Sequence, residues 1–557
     1  MIEAKQISSL EKVRRESDLC YDEICKKTVL KGERYSYQIA FKTDERIETK
    51  IEIESELKDY IKVFCVENAV MDTPLTSPEA IALDDDYITK ESGLMPDILV
   101  PIEERDDIVL TAFGASSLWI EVNVPKDYPA GKYSVTAKLN NLADDEAIFK
   151  KTLELEIANA TVLPQSLIYT RWFYADCIAD YHNVAVYSEK HWQLIEGYIR
   201  QAVDVGINMI LVPVHTPPLD TAIGTQRTCV QLVDIEKTGE TYTFNFDKFR
   251  RYVDICKKCG VKYYEIAHMF SQWGAKCAPN IMVTENGKTD YMFGWHVSAD
   301  SYEYVNFLKQ YIAAISNALK EEGISENAYF HISDEPNLET METYKRASDI
   351  IKPLIGDSKT FDALSEYEFY ERGMVECPVT VVSKIDKFLE HKIDNQWAYY
   401  CCGPQMTYTN SFLAMPSARV RILGILLYKF NIKGFLHWGL NFYNGCISRY
   451  KLNPYMTTSA DGVFSSGDPF ILYPAKDGAY NSIRGKVTFE AIGDMNLCRT
   501  LESYIGRDEV VKLIDSVAGM DVTFANYPKG ADFILNLRDK IIEEIKKQAV
   551  PAATSRA

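Results

Sequence analysis

The chain has 557 residues, of which 46% are hydrophobic and 25% charged, a balance typical of a folded protein with two or three domains. The formal net charge of −19 disfavours nucleic acid and other polyanions as partners, whereas an uncharged sugar is compatible with it. The sequence contains no apolar run long enough to span a membrane and no basic-then-apolar N-terminus. We therefore expect a cytoplasmic protein, and the alternative is a trimmed or unconventionally exported form.

The 13 cysteines are an odd number and are spread along the chain, which indicates reduced thiols rather than a disulfide framework. Cys256-Lys-Lys-Cys259 is a lone Cys-x-x-Cys pair inside a helical pattern, and such a pair indicates buried thiols more than a zinc site. We therefore expect no cofactor and no metal.

Residues 1–162 are predicted to form a β-sandwich. Segments such as Tyr35–Lys42, Leu118–Val124 and Leu153–Ile157 alternate apolar and polar residues, which is typical of half-buried antiparallel strands. Turn residues such as Pro129–Gly131 separate short strands of this kind, and that spacing favours a sandwich.

Residues 163–475 are predicted to form a (β/α)8 barrel. Short apolar runs alternate with longer amphipathic helical stretches, and eight repeats of this alternation indicate a TIM-like α/β barrel, whereas six would indicate a doubly wound sheet. The eight runs are Leu167–Phe173, Asn208–Val214, Lys262–His268, Ala328–Ser333, Thr360–Leu364, Val379–Val382, Trp397–Cys401 and Gly434–Trp438.

Residues 476–548 are predicted to be a C-terminal helical segment packed on the barrel. The helical patterns in it run over Ile483–Ile505, Glu509–Ser516 and Ala531–Lys547. The last residues, 549–557, are predicted to be a frayed tail.

Polar and aromatic residues follow most of the eight predicted strands, and the carboxyl ends of barrel strands form the active-site face of such folds. One histidine or tryptophan at a strand end is more often simply packed, but seven strand ends with such residues together favour a sugar-binding mouth. There, aromatic rings stack on the pyranose and polar groups bind its hydroxyls. The predicted substrate-binding residues are Trp172, His215, His268, Asp362, Tyr399, Trp438 and Asn441.

The fourth predicted strand breaks from an apolar run into Asp334 and Glu335, which are followed by Pro336. Proline biases the preceding residue toward extended geometry, so Glu335 is expected to be extended at the strand mouth. Two ionised carboxylates this close repel, so one pKa should rise and keep a proton. A proton donor beside an anion is what glycoside cleavage requires. The alternative is a helix cap, because Asp-Glu-Pro also suits a helix N-terminus.

Four ordered motifs resemble those of glycoside hydrolase family 123, the β-N-acetylgalactosaminidases. They are His331–Pro336, Asn395–Pro404, Gly434–Tyr443, and Gly467–Gly478 followed by Ser482–Arg484. The resemblance spans the predicted barrel and, more loosely, the β-sandwich before it.

The resemblance implies a retaining exo-glycosidase that releases terminal β-linked N-acetylgalactosamine from an oligosaccharide or a glycolipid glycan. The substrate's acetamido oxygen attacks its own anomeric carbon, so no second carboxylate is needed about 5 Å across the sugar. Glu335 would protonate the leaving oxygen and later activate water, and Asp334 would orient the acetamido N–H. Tyr399 is a candidate donor to the acetamido oxygen, and Trp438 a candidate floor under the sugar.

Three alternatives stay open. The first is a conventional retaining glycosidase with Glu335 as acid and Asp362 or Glu265 as nucleophile. The second is a barrel that binds carbohydrate without cleaving it. The third is a metal-dependent hydrolase, although the spacing of its candidate ligands matches no established signature. Those candidate ligands are His215, His268 and His331.

Overall fold

A computed structural model describes residues 2–112 and 114–549 of the chain. They form two compact units, here called the first and second unit. The first unit contains the described residues within 1–166, 409–430 and 480–557, and the second unit contains residues 167–408 and 431–479. The domain boundaries predicted at 162 and 475 stay predictions, and the predicted tail lies, after Ala549, outside the described residues. None of the described helices is long and apolar enough to cross a membrane.

The first unit contains two β-sheets with an apolar layer between them. One sheet has the order β1-β3-β8-β5-β6 and is extended by β24, and the other has the order β2-β10-β9-β4-β7. Alternate residues such as Tyr37 and Ile39 of β3, Val135 of β9 and Leu155 of β10 are buried in one core, which confirms the predicted two-residue periodicity. The bounds are β1 Ile2–Ser8, β2 Lys26–Lys31, β3 Arg34–Thr43, β4 Ile47–Glu54, β5 Ile61–Met71, α1 Pro78–Leu83, β6 Gly93–Pro101, β7 Ile108–Leu110, β8 Gly114–Asn123, β9 Gly131–Asn141, β10 Ala147–Thr161 and β24 Gly478–Ser482.

The second unit is built on a closed barrel of eight parallel strands, as predicted. The first strand pairs with the last, from Ile168 opposite Gly434 to Arg171 opposite His437, which closes the barrel. Packing requires a glycine at position 434, because a Cβ there would lie 2.0 Å from the Trp397 ring. The strands are β11 Ile168–Arg171, β12 Met209–Val212, β15 Tyr263–Ile266, β18 Ala328–Phe330, β19 Lys359–Leu364, β20 Cys377–Val381, β21 Trp397–Tyr399 and β22 Gly434–His437.

Helices connect most of these strands. The two longest begin at serine caps: the Ser188 hydroxyl accepts from the N–H of His191, and the Ser301 hydroxyl accepts from the N–H of Tyr304. The helices are α2 Ala175–His182, α3 Glu189–Asp204, α4 Asp247–Cys259, α5 Tyr302–Glu321, α6 Met341–Ile355, α7 Glu368–Glu371 and α8 Asp386–Glu390.

A four-stranded sheet of order β14-β13-β16-β17 is inserted in the loops after the second and third barrel strands. This sheet was not predicted, because its strands are short and rich in exposed charged and polar residues. The bounds are β13 Asp234–Thr238, β14 Thr241–Asn245, β16 Ile281–Glu285 and β17 Lys288–Phe293, and a further short strand, β23, spans Tyr473–Ala475.

The helices predicted at the C-terminus are present and belong to the first unit. Helices α10 and α11 touch at their backbones, since a Cβ on Gly424 would lie 1.7 Å from the carbonyl oxygen of Ala491. Beside this contact Arg421 forms buried ion pairs with Glu490 and Asp494, at 2.9 and 2.7 Å. The bounds are α9 Ser417–Arg421, α10 Leu423–Lys429, α11 Ile483–Ile505, α12 Arg507–Ala518 and α13 Ala531–Ala549.

Candidate active site

The fourth barrel strand, β18, ends at Phe330, four residues before the end of the buried run that contains it. Asp334 is buried and Glu335 is exposed. The expectation of an extended Glu335 is wrong: its φ is +43°, in the left-handed region. Tertiary contacts override the local bias of the following proline, because the Glu335 N–H donates to the carbonyl of Ala363 on β19 at 3.2 Å. The turn lets two neighbouring carboxylates reach one mouth, which a continuing strand would prevent.

The loop after β15 holds this turn in place. Its backbone N–H groups donate to the chain after β18, from Phe270 to the carbonyl of Ile332 at 3.0 Å and from Trp273 to the carbonyl of Asp334 at 3.1 Å. The position of Asp334 is therefore fixed by a second loop as well as by its own strand.

Asp334 is 3% exposed, and its two oxygens differ. Oδ2 accepts a hydrogen bond from Nε2 of Gln272 at 2.7 Å. Oδ1 is buried and has no hydrogen-bond partner among the described residues. Burial, followed by the negative charge of Glu335, raises the pKa of Asp334 well above its usual range, and the Gln272 hydrogen bond opposes this rise. The side chain thus presents one buried acceptor without a donor.

Glu335 lies at the opening of the mouth, beside Tyr399. The Tyr399 hydroxyl donates to Oε1 of Glu335 at 2.9 Å. The protein that surrounds the carboxylate removes part of its hydration and raises the pKa of Glu335, although the residue is open to solvent, and the Tyr399 hydrogen bond opposes this rise. A raised pKa on an accessible carboxyl suits a group that donates a proton near neutral pH.

A second set of carboxylates lies beneath the mouth and is fully buried. His331 Nε2 lies 2.5 Å from Oε1 of Glu265, and its Nδ1 lies 2.8 Å from Oδ1 of Asp362. Both ring nitrogens must donate to satisfy two ionised carboxylates, so we assign His331 as an imidazolium. Burial lowers the pKa of His331, but the hydrogen bonds and charges of Asp362 and Glu265 outweigh it and raise the pKa to about 9.

The remaining oxygens of Glu265 and Asp362 are also occupied. Glu265 accepts from the Thr170 hydroxyl at 2.7 Å and from the indole N–H of Trp172 at 2.6 Å. Asp362 accepts from the backbone N–H of Ile332 at 3.2 Å and from the hydroxyl of Tyr344 at 2.5 Å. This set holds strands together and leaves no acceptor open to a ligand.

Several predicted sugar contacts lie in the walls rather than at the surface of the mouth. His268 stacks on His331 with ring centroids 3.8 Å apart, and His215 Nε2 lies 2.9 Å from the carbonyl of His268. Burial lowers the pKa of His215 to about 4 and that of His268 well below its usual range, so both are neutral. Asn441 is buried and bonds at both ends to the backbone of Tyr174, at 3.0 Å each.

Trp438 follows β22, which lies opposite β18 in an eight-stranded barrel. It is 8% exposed, and its indole N–H donates to Oδ2 of Asp468 at 3.0 Å. The structure therefore places three predicted site residues together at the mouth, and Trp438 after the strand on the opposite side of the barrel. The other five are buried, and their contact with sugar stays a prediction. The three are Asp334, Glu335 and Tyr399, and the five are Trp172, His215, His268, Asp362 and Asn441.

A third carboxylate, Asp220, was not among the predicted site residues, and neither was Gln272, whose amide links it to the pair. The backbone N–H of Asp220 donates to Oε1 of Gln272 at 2.8 Å. Burial raises the pKa of Asp220 to about 6, with Glu335 adding to the rise and Arg227 opposing it. Asp220 comes eight residues after β12 ends, so a search of strand ends does not reach it.

The described residues contain one group of three possible metal ligands, His268, His331 and Asp362, whose ligand atoms lie within 4.8 Å of one another. His331 already directs both nitrogens at carboxylates, so it would have to leave one of them to bind an ion. The predicted histidine trio differs from this group, since His215 is not in it.

Closed barrels with a proton-donating carboxyl and an anionic neighbour at one strand mouth are an architecture of glycoside hydrolases. The sequence agrees with that class, because the family model of the glycoside hydrolase 123 catalytic domain matches residues 172–501. The chain belongs to glycoside hydrolase family 123, as its four motifs predict.

A solved structure supports the same fold. A family 123 glycoside hydrolase from Clostridium perfringens, solved to examine glycolipid glycan hydrolysis, covers 99% of this chain and 99% of its own, with 15% identity and a TM-score of 0.72. A β-glucuronidase from Bacteroides uniformis matches 80% of this chain and 47% of its own at 10% identity, with a TM-score of only 0.31. No curated protein sequence matches the chain.

Proposed function

We propose that the protein is a retaining exo-glycosidase that releases terminal β-linked N-acetylgalactosamine, with the substrate's acetamido group as the nucleophile. The observation that carries the proposal is the contrast within one pair: Asp334 is buried with an open acceptor, and Glu335 is exposed beside Tyr399. The first suits an anion that orients a neutral donor, and the second suits an acid that reaches the leaving group.

Glu335 is the proposed acid and base. Its raised pKa keeps a proton that it gives to the leaving oxygen as the glycosidic bond breaks. The carboxylate that remains then removes a proton from the water that opens the oxazolinium intermediate, so one residue serves both steps.

Asp334 is the proposed partner of the acetamido N–H. Its unpartnered Oδ1 is the acceptor, and the Gln272 hydrogen bond to Oδ2 fixes the orientation of the carboxylate. Two coupled carboxylates share one proton, and a bound N–H that gains positive charge favours that proton on Glu335. Substrate binding thus sets the protonation state that catalysis needs.

The burial of Glu265 and Asp362 supports this mechanism over the conventional one. Each accepts hydrogen bonds from three protein groups, and a nucleophile drawn from either would leave buried donors unpaired. The proposed substrate is a glycan ending in β-linked N-acetylgalactosamine, free or on a glycolipid. The similar Clostridium enzyme, solved in connection with glycolipid glycan hydrolysis, supports that class.

Turnover of aryl β-N-acetylgalactosaminide, β-N-acetylglucosaminide and β-galactoside tests the proposal. We expect the first to be fastest and the third, which has no acetamido nucleophile, to be unreactive. A thiazoline mimic of the oxazolinium should inhibit strongly, since it resembles a species bound more tightly than substrate. Rapid β-galactoside cleavage, or no inhibition by the thiazoline, would contradict substrate assistance.

A further inference from the structure

Asp220 has an unusual backbone conformation for a non-glycine residue in a long loop. Its φ is +46°, a left-handed conformation that non-glycine residues seldom adopt. The conformation is fixed by the hydrogen bond from its N–H to Oε1 of Gln272 at 2.8 Å. Backbone strain of this kind persists where the surroundings enforce it, and it concentrates at ligand sites.

Gln272 connects Asp220 to the catalytic pair. The same side chain accepts from Asp220 at Oε1 and donates from Nε2 to Oδ2 of Asp334 at 2.7 Å. The charge of Glu335 also acts on Asp220 and adds to the rise of its pKa. Asp220 therefore borders the same mouth as the pair and is tied to it on the side of Asp334.

The Asp220 carboxylate has acceptors to spare. The Tyr174 hydroxyl donates to Oδ2 at 3.2 Å, and no other described residue donates to either oxygen. The cation that acts on Asp220, Arg227, donates instead from Nη1 to both oxygens of Asp176, at 3.0 and 2.9 Å. A half-buried carboxylate in this setting lacks donors, and sugar hydroxyls are donors of the kind that binding mouths recognise.

We propose that Asp220 accepts hydrogen bonds from the hydroxyls at C3 and C4 of the terminal sugar and determines which sugar the site accepts. The inference rests on the proposed function. In that mechanism Glu335 faces the oxygen at C1 and Asp334 faces the acetamido group at C2. Because Gln272 ties Asp220 to Asp334 rather than to Glu335, Asp220 borders the ring beyond C2.

A double-mutant cycle between enzyme and substrate tests the contact. Asp220→Asn is assayed on the parent aryl glycoside and on its 3-deoxy and 4-deoxy forms. We expect kcat/KM on the parent to fall about 100-fold, mainly through KM, because a hydrogen bond to a charged group is lost. In the wild-type enzyme, deletion of a contacted hydroxyl should cost a similar factor. In the variant it should cost little, since the two changes remove the same interaction.

Two variants serve as controls. Tyr174→Phe removes the hydroxyl that holds Oδ2 of Asp220 and should give the same pattern with a smaller loss. Asp290→Asn makes the same charge change on the exposed strand β17 and should leave all rates unchanged. Thermal unfolding of each variant shows whether the fold is intact, and Asp220→Ser replaces Asp220→Asn if the latter is unfolded.

Additive losses for the variant and the deoxy substrates would overturn the proposal. It would also be overturned if azide restored turnover to Asp220→Gly, because that result would make Asp220 a nucleophile. Binding of N-acetylgalactosamine and its deoxy forms, measured by calorimetry in a Glu335→Gln background, separates this inference from the proposed function. If the substrate panel selects another sugar, the cycle is run on that sugar's deoxy forms, so either proposal can fail alone.

Discussion

Two sets of carboxylates in the barrel, one within its strands and one at the mouth, differ in what their oxygens contact. In the buried set, Glu265 and Asp362 clamp His331, and their other hydrogen bonds are made by protein groups. In the mouth, Asp334 keeps a buried oxygen without a donor, and Glu335 has one hydrogen bond and is exposed. Burial alone therefore does not distinguish the proposed catalytic pair from the buried set. The two sets differ because each carboxylate of the pair keeps an oxygen that accepts no hydrogen bond from a described residue.

The largest effect is expected from Glu335→Gln, which keeps the shape of the side chain but removes its proton. We expect a loss of about 10³-fold in kcat/KM on substrates with poor leaving groups. Activated aryl glycosides should lose much less, since their leaving oxygen needs little protonation. Parallel measurements on both substrate types check this, and equal losses would contradict the assignment of Glu335 as the acid.

Asp334→Asn should lower turnover of all N-acetylhexosaminides by about 10²-fold or more, because the open acceptor loses its charge where positive charge develops. The reduction should be the same for good and poor leaving groups, unlike that of Glu335→Gln. Kinetics with both aglycones separate the two residues. Near-normal turnover in Asp334→Asn would refute substrate assistance.

Substitutions in the buried set should change the stability of the fold. Glu265→Gln removes the charge of one of the two carboxylates that pair with the fully buried His331. We expect it to lower the free energy of unfolding by about 3 kcal/mol. Chemical denaturation measures this, with Glu335→Gln as the matched control, since the exposed carboxylate makes one hydrogen bond. If Glu335→Gln is as destabilising as Glu265→Gln, the distinction between the two sets fails.

The pH dependence of stability sharpens the same contrast. The pKa of His331 is about 9 in the folded protein and near 6.5 when unfolded. Because this pKa is raised on folding, protonated His331 stabilises the folded protein fully below pH 6.5, and the stabilisation is lost as the pH rises through 9. Glu265→Gln should weaken this dependence between pH 6.5 and 9, whereas Glu335→Gln should leave it unchanged.

Local patterns predicted the barrel well, because the apolar runs of strands and the periodicity of amphipathic helices depend only on residues that are close together in the sequence. All eight predicted runs overlap a barrel strand. The left-handed turn at Glu335 was not predictable, since the hydrogen bond to Ala363 that accompanies it comes from another strand. The inserted sheet was missed because strands such as Lys288–Phe293 carry few buried apolar residues.

The site was predicted less completely for the same physical reason. Asp334 and Glu335 were predictable because they directly follow a buried apolar run, and Tyr399 and Trp438 because they lie at the ends of strands β21 and β22. Whether a polar residue faces the mouth or the wall depends on partners far away in the chain, so Asn441, which bonds to Tyr174, could not be distinguished from a sugar contact. Asp220 joins the mouth through a single amide from another loop.

The smallest effect concerns Tyr399, which the sequence links to the acetamido oxygen and the structure to Glu335. Its hydrogen bond favours the ionised form of Glu335, so Tyr399→Phe should raise the pKa of Glu335 further. An acid must be protonated to act, so the basic limb of the pH profile of kcat/KM should move to higher pH. We expect a loss of about tenfold at neutral pH if the hydroxyl also contacts the acetamido oxygen. A pH shift without that loss would restrict Tyr399 to the support of Glu335. Tyr263→Phe is the matched control, because Tyr263 lies at the amino end of β15, away from the mouth. It should change neither the pH profile nor kcat/KM at neutral pH.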